Sequence, residues 1–64
     1  MSYLIAKSDK QLGMCLRMLY AEGFSEISVK PILNAKHKVE FQVVLDVEES
    51  EFSTLKNRYE TLTL

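Results

Sequence analysis

The chain has 64 residues, of which 47% are hydrophobic and 27% are charged, and its formal net charge is -1. This composition predicts one small globular domain over residues 1–64. It excludes a disordered chain, which is poorer in apolar residues, and a membrane-spanning chain, which needs about 20 nearly unbroken apolar residues. A net charge near zero also argues against a general nucleic-acid-binding protein, which is usually strongly basic.

A single cysteine and a single histidine limit how so small a core is stabilised. Domains of about 60 residues often add a disulfide, a metal or a second subunit. Cys15 has no partner within the chain, and with His37 it cannot supply the four ligands of a structural zinc site. We therefore expect no cofactor and no metal, and self-association stays open. The unpaired cysteine and the short apolar stretch at the N-terminus predict a cytoplasmic protein.

The first half of the chain predicts a strand followed by a helix. Tyr3 to Lys7 has the aromatic and aliphatic content of a central strand. Ser8 to Gln11 matches a capping box, in which the Ser8 hydroxyl accepts from the Gln11 N–H and the Gln11 side chain returns to the Ser8 N–H. The helix extends from about Asp9 to Glu22, and Gly23 is its left-handed C-terminal residue. One helical stripe is formed by Leu12, Cys15, Leu16 and Leu19.

The second half predicts a hairpin and a second helix. Ser25 to Ile32 alternates as a half-exposed strand, and Pro31 marks an edge strand or the end of a strand. After a polar turn, Lys38 to Asp46 alternates again. A second capping box is predicted from Asp46 to Glu49, with Ser50 as an alternative cap. The apolar stripe of the helix that follows consists of Phe52, Leu55 and Tyr59.

The predicted fold is α+β with the order β-α-β-β-α, that is, a ferredoxin-like or split β-α-β arrangement with an antiparallel sheet and both helices on one face. Residues 61–64 are either the end of the second helix or a short final strand. If Leu62 and Leu64 pair with the first strand, the sheet has four strands. If they do not, it has three, and one open edge is a liability unless another chain covers it.

This element order resembles that of small α+β domains seen as regulatory modules, metallochaperones and RNA-recognition domains. The resemblance lies in the order of elements and not in a motif, and a fold does not by itself imply a function. The metallochaperone cysteine pair is missing from the junction at residues 7–10. The predicted open sheet face lacks the aromatics on which RNA-recognition domains stack bases, unless Tyr3 lies there.

No motif in the sequence carries catalytic chemistry. Neither glycine belongs to a phosphate-binding loop, and so short a chain has little volume for a pocket of a few hundred Å³. The leading interpretation is therefore a non-enzymatic module that binds another protein, either alone or as a homodimer. Its candidate contacts are an apolar set and an acidic set: Met14, Met18 and Tyr20; Glu48, Glu49 and Glu51.

Each candidate set also has a purely structural explanation. The methionines suit core packing as well as an adaptable binding surface, and the glutamates suit the first turns of a helix. A second interpretation is a nucleic-acid-binding accessory protein that contacts phosphate through a basic hairpin turn. Its candidate residues are Lys30, Lys36, His37 and Lys38. A third interpretation is a small-ligand sensor whose site lies between two copies of the chain.

Overall fold

The computed structural model describes residues 2–64 as three strands and two helices. In chain order these are β1 Ser2–Ala6, α1 Asp9–Ala21, β2 Ser28–Leu33, β3 Val39–Leu45 and α2 Glu49–Leu62. The strands form one sheet in the order β1-β3-β2, and β3 pairs antiparallel with both neighbours. The prediction of an α+β fold with an antiparallel sheet and two helices is confirmed. The ferredoxin-like arrangement is not confirmed by this three-stranded order.

The end of the chain contains the last residues of α2, which stops at Leu62, and no strand. Thr61 and Leu62 are helical, and the N–H of Thr63 donates to the carbonyls of Tyr59 at 3.1 Å and Glu60 at 3.3 Å. The alternative of a short final strand over residues 61–64 is therefore wrong. Within residues 2–64, β1 has a strand neighbour on one side only.

Local hydrogen bonds explain where α1 begins and ends. The Ser8 hydroxyl accepts from the Gln11 N–H at 3.2 Å, as predicted. The Gln11 side chain accepts from the N–H of Lys7 at 2.9 Å, one residue earlier than the predicted Ser8. Gly23 has a φ of 97°, and the Phe24 N–H donates back to the Leu19 carbonyl at 3.1 Å. Together with the bond from the Gly23 N–H to the Tyr20 carbonyl, this is a Schellman ending.

The second predicted capping box does not form. The N-cap of α2 is Glu48, and its side chain makes no capping hydrogen bond. Asp46 lies two residues before this cap, so its carboxylate is not at the position from which a capping box closes. Ser50, the alternative cap, lies inside the first turn. The helix begins instead with the bond from the Phe52 N–H to the Glu48 carbonyl at 2.9 Å.

The core lies between one face of the sheet and both helices. On the sheet, Leu4 lies opposite Val43, which in turn lies opposite Val29. Side chains from α1 and α2 join this row in a single cluster, so the two helices cover the same face. The buried members of the cluster are Leu4, Cys15, Met18, Leu19, Val43, Leu45, Leu55 and Tyr59. The predicted stripe of α2 is thus on its buried side.

Candidate functional site

The free edge of β1 presents unpaired backbone groups. The Tyr59 hydroxyl donates to the Ile5 carbonyl at 2.9 Å, across 54 residues of chain. The Ile5 backbone therefore faces away from β3. Because hydrogen-bonded and non-bonded pairs alternate along an antiparallel ladder, the Tyr3 backbone faces the same way. The N–H groups of Tyr3 and Ile5 and the carbonyl of Tyr3 are left at this edge, where a strand could bind them.

A groove lies along this edge, between β1 and α2. Its volume is about 580 Å³. Half-buried Phe52 and buried Tyr59 are apolar walls, whereas Lys56 and Glu60 contribute charges of opposite sign. The residues that line it are Ser2, Tyr3, Leu4, Ile5, Phe52, Lys56, Tyr59 and Glu60. Apolar walls beside free backbone donors and acceptors are the features with which proteins bind an extended segment.

The opposite edge of the sheet, on β2, is interrupted by a proline. The N–H of Asn34 donates to the Lys38 carbonyl at 2.9 Å, which sets the alternation of the β2–β3 ladder. By that alternation the backbones of Val29, Pro31 and Leu33 face outward. Pro31 has no N–H to offer there, which is where sheets tolerate proline. The sheet therefore has one edge open to strand addition and one interrupted edge.

The uncovered face of the sheet next to β1 is more apolar than predicted. Tyr3 is 50% exposed and lies on this face, opposite Val44. Ile5 follows on the same face, opposite Gln42. Tyr3 is thus on the open face after all, but among residues 2–64 no second exposed aromatic lies beside it on the strands. This single ring does not make the stacking platform of an RNA-recognition domain.

The structure does not bring the predicted apolar set together as one exposed surface. Met18 is only 7% exposed and belongs to the core, whereas Met14 is half-buried and Tyr20 is 55% exposed. Met18 therefore contributes little surface in this structure, and the role of the three residues in binding a partner stays a prediction. The buried stripe of α1 is Cys15, Met18 and Leu19, so the helix is turned slightly from the predicted orientation, and Leu12 and Leu16 lie at the margins.

The predicted charged residues are all exposed. Glu48, Glu49 and Glu51 lie at the start of α2, where negative charge stabilises the helix dipole. Their role in binding a partner stays a prediction. The role of the basic turn in binding nucleic acid also stays a prediction. In this turn the Asn34 side chain accepts hydrogen bonds from the N–H groups of Lys36 at 2.8 Å and Lys38 at 3.1 Å.

That turn groups three of the four basic candidates. His37 adopts a left-handed φ of 59° between the two lysines. Lys30 lies apart from them, on β2 opposite Gln42 and hence on the open face of the sheet. The nucleic-acid interpretation and the ligand-sensor interpretation both stay predictions.

Cys15 has the environment of a core residue and not of a reactive one. Its side chain is fully buried, and burial raises the pKa of the thiol to about 11. Burial also raises the pKa of Tyr59, with a smaller contribution from Cys15. No group of three or more potential metal ligands occurs among residues 2–64. Neither helix in the described part of the chain is long and apolar enough to cross a bilayer.

Sequence reasoning identified an open edge as one of two outcomes but did not identify the residues that surround it. Tyr3, Ile5, Phe52 and Tyr59 come from opposite ends of the chain. The one available signal was that the predicted first strand contains no proline, whereas the second contains Pro31. Comparison of the chain with protein-family models, with curated proteins and with solved structures finds no match.

Proposed function

We propose that this protein is a non-enzymatic protein-interaction module that binds an extended segment of a partner at the free edge of β1. The observation that carries the proposal is that the N–H groups of Tyr3 and Ile5 and the carbonyl of Tyr3 are free at this edge, beside the groove of about 580 Å³. Main-chain hydrogen bonds would supply affinity, and the groove would select side chains of the bound segment.

Several observations support binding over catalysis. The single thiol is buried, and its pKa is raised to about 11, which leaves little thiolate at neutral pH. His37 is exposed on a turn between two lysines, without the enclosed pocket in which acid–base catalysis normally takes place. We further propose a cytoplasmic location, which suits an unpaired cysteine.

The test is affinity capture from a lysate of the native host with three forms of the chain. Tyr3→Pro removes an N–H from the open edge and leaves the ladder to β3 intact. Leu33→Pro is the matched control, since it removes an outward N–H from the opposite edge. We expect the wild type and Leu33→Pro to capture a partner protein in stoichiometric amount, and this capture should persist after nuclease treatment. Tyr3→Pro should not capture it.

Two results would count against this function. Equal capture by Tyr3→Pro would show that the edge is not the binding site. Capture that disappears after nuclease treatment would instead favour the interpretation based on the basic turn. Circular dichroism of each variant separates loss of binding from loss of the fold.

A further inference from the structure

We propose that the occupant of the β1 edge is a second copy of this chain, whose β1 pairs antiparallel with it across a two-fold axis at Leu4. This inference rests on the proposed function, because it names the partner of the same edge. The two sheets would join into one continuous sheet with the two β1 strands at its centre. Two-fold dimers are the commonest symmetric assemblies, and such an interface needs a surface that is complementary to itself.

The backbone of β1 meets that requirement in the register centred on Leu4. The outward-facing groups belong to Tyr3 and Ile5, which lie symmetrically on either side of Leu4. In the symmetric pairing, Tyr3 lies opposite the partner's Ile5, and each such pair exchanges both of its N–H···O bonds. All residues of β1, Ser2–Ala6, then have a partner. If the pairing register were moved by two residues toward α1, Tyr3 of one copy would lie opposite Lys7 of the other. The Lys7 N–H already donates to the Gln11 side chain, so it is not available for that pair.

The bond from Tyr59 is compatible with this pairing. The Ile5 carbonyl has two lone pairs, so it can accept from the Tyr59 hydroxyl and from an N–H of the second copy. Tyr59 also holds α2 beside β1, which keeps the wall of the groove in place. The edge is therefore already oriented for an incoming strand.

The side chains around the edge are also self-complementary. Tyr3 and Ile5 both point to the open face, so the symmetric register places an aromatic ring beside a β-branched side chain twice, which is a favourable cross-strand pair. On the other face, Phe52 of α2 is only half-buried and lines the groove. Lys56 and Glu60 have opposite charges, so two grooves brought together do not combine charges of a single sign.

The size of the domain favours a second copy over a monomer with a bare edge. A core of this size supplies only a few kcal/mol of net stability, and the chain contains neither a disulfide nor, among residues 2–64, a group of potential metal ligands. An exposed and unprotected edge strand is a liability that natural proteins cover. Pairing between copies covers it with the residues already present.

The first measurement is the molar mass by light scattering across a dilution series, for the wild type, Tyr3→Pro and Leu33→Pro. We expect a dimer for the wild type and for Leu33→Pro, and at least about tenfold weaker dimerisation for Tyr3→Pro, because the lost donor occurs twice in a symmetric interface. Tyr3→Lys is the second variant. It keeps the backbone N–H and places a cation at the seam, so it tests the interface if the proline variant does not fold.

The second measurement establishes the register. In a mixture of isotope-labelled and unlabelled protein, a filtered nuclear Overhauser experiment should connect the Leu4 Hα of one copy to the Leu4 Hα of the other. Leu4 would form the non-bonded pair at the axis, where the α-carbons come closest. A dimer without this contact would overturn the inference, and so would a dimer whose affinity in both Tyr3→Pro and Tyr3→Lys equals that of the wild type.

The outcome also separates this inference from the function on which it rests. A wild-type monomer at NMR concentrations that captures a different protein through the β1 edge would overturn the second copy as the occupant and leave the function standing. A monomer whose edge captures nothing would overturn both.

Discussion

The hydroxyl of Tyr59 provides a direct test of how α2 is fixed to the β1 edge. Tyr59→Phe removes one oxygen atom and with it the 2.9 Å hydrogen bond to the Ile5 carbonyl. Tyr59 is 5% exposed and packs in the core cluster, so the apolar contacts of its ring are retained in the variant. The substitution therefore isolates the hydrogen bond from the packing.

The expected loss is small but measurable. A net intramolecular hydrogen bond contributes about 0.5–1.5 kcal/mol to the free energy of unfolding. The freed Ile5 carbonyl lies at the groove, where water can reach it, so we expect a loss of about 1 kcal/mol and not the larger cost of a sealed unsatisfied group. A chain of this length has a total stability of about 3–10 kcal/mol, so the loss is a sizeable fraction.

Urea denaturation followed by circular dichroism measures this loss. With a slope of about 1 kcal/mol per M for a small domain, the midpoint should fall by about 1 M. The thermal midpoint should fall by about 4–8 °C. Tyr20→Phe is the matched control, since Tyr20 is 55% exposed, and its midpoint should change little.

Equal midpoints for the two variants would refute the reasoning, because the Tyr59 hydroxyl would then contribute no more than one exposed to water. A loss well above 3 kcal/mol would also refute it, since that magnitude indicates disturbed packing and not a single hydrogen bond.

Three further predictions concern the turn after α1, the buried thiol and the basic turn. Gly23→Ala should lower the free energy of unfolding by about 1–2 kcal/mol, because Gly23 has a left-handed φ of 97°. An added methyl group meets nothing within 4 Å, so a much larger loss in urea denaturation would contradict this backbone explanation. Between pH 9 and 11 the wild type should lose roughly 2–3 kcal/mol of stability, because the pKa of the Cys15 thiol is near 9.0 in the unfolded chain and about 11 in the folded one. The free energy of unfolding of Cys15→Ala should depend less on pH over the same range. Oligonucleotide titration at low salt should show no saturable binding, and binding that weakens in a Lys36→Gln, Lys38→Gln double variant would contradict the protein-interaction proposal.

The parts of the fold that the sequence predicted depend on residues close together in the chain. The Ser8 cap and the Gly23 ending each involve partners within five residues, and the pattern of side chains is sufficient to find them. The same reasoning failed for Asp46, because Asp followed by Glu three residues later occurs both as a cap and as an ordinary acidic approach to a helix. Only the true start of α2 distinguishes the two.

The candidate site depends on contacts between distant parts of the chain. Ile5 and Tyr59 are 54 residues apart, and no local pattern connects a strand residue to the last turns of the second helix. Met18 illustrates the same limit on a smaller scale. Two neighbouring stripes of α1 are both apolar in this sequence. Packing of α1 against α2 and β1 decides which of the two stripes faces the sheet.

Pro31 has a consequence for how far strand addition can proceed. A sheet with two open edges can recruit copies at both sides and grow without limit, as fibrils do. Here the outward position of Pro31 withholds an N–H from the β2 edge, and Lys30 and Lys38 add charge near it. If two copies pair through β1 as proposed, each uses its remaining edge, so assembly through main-chain bonds would stop at two chains.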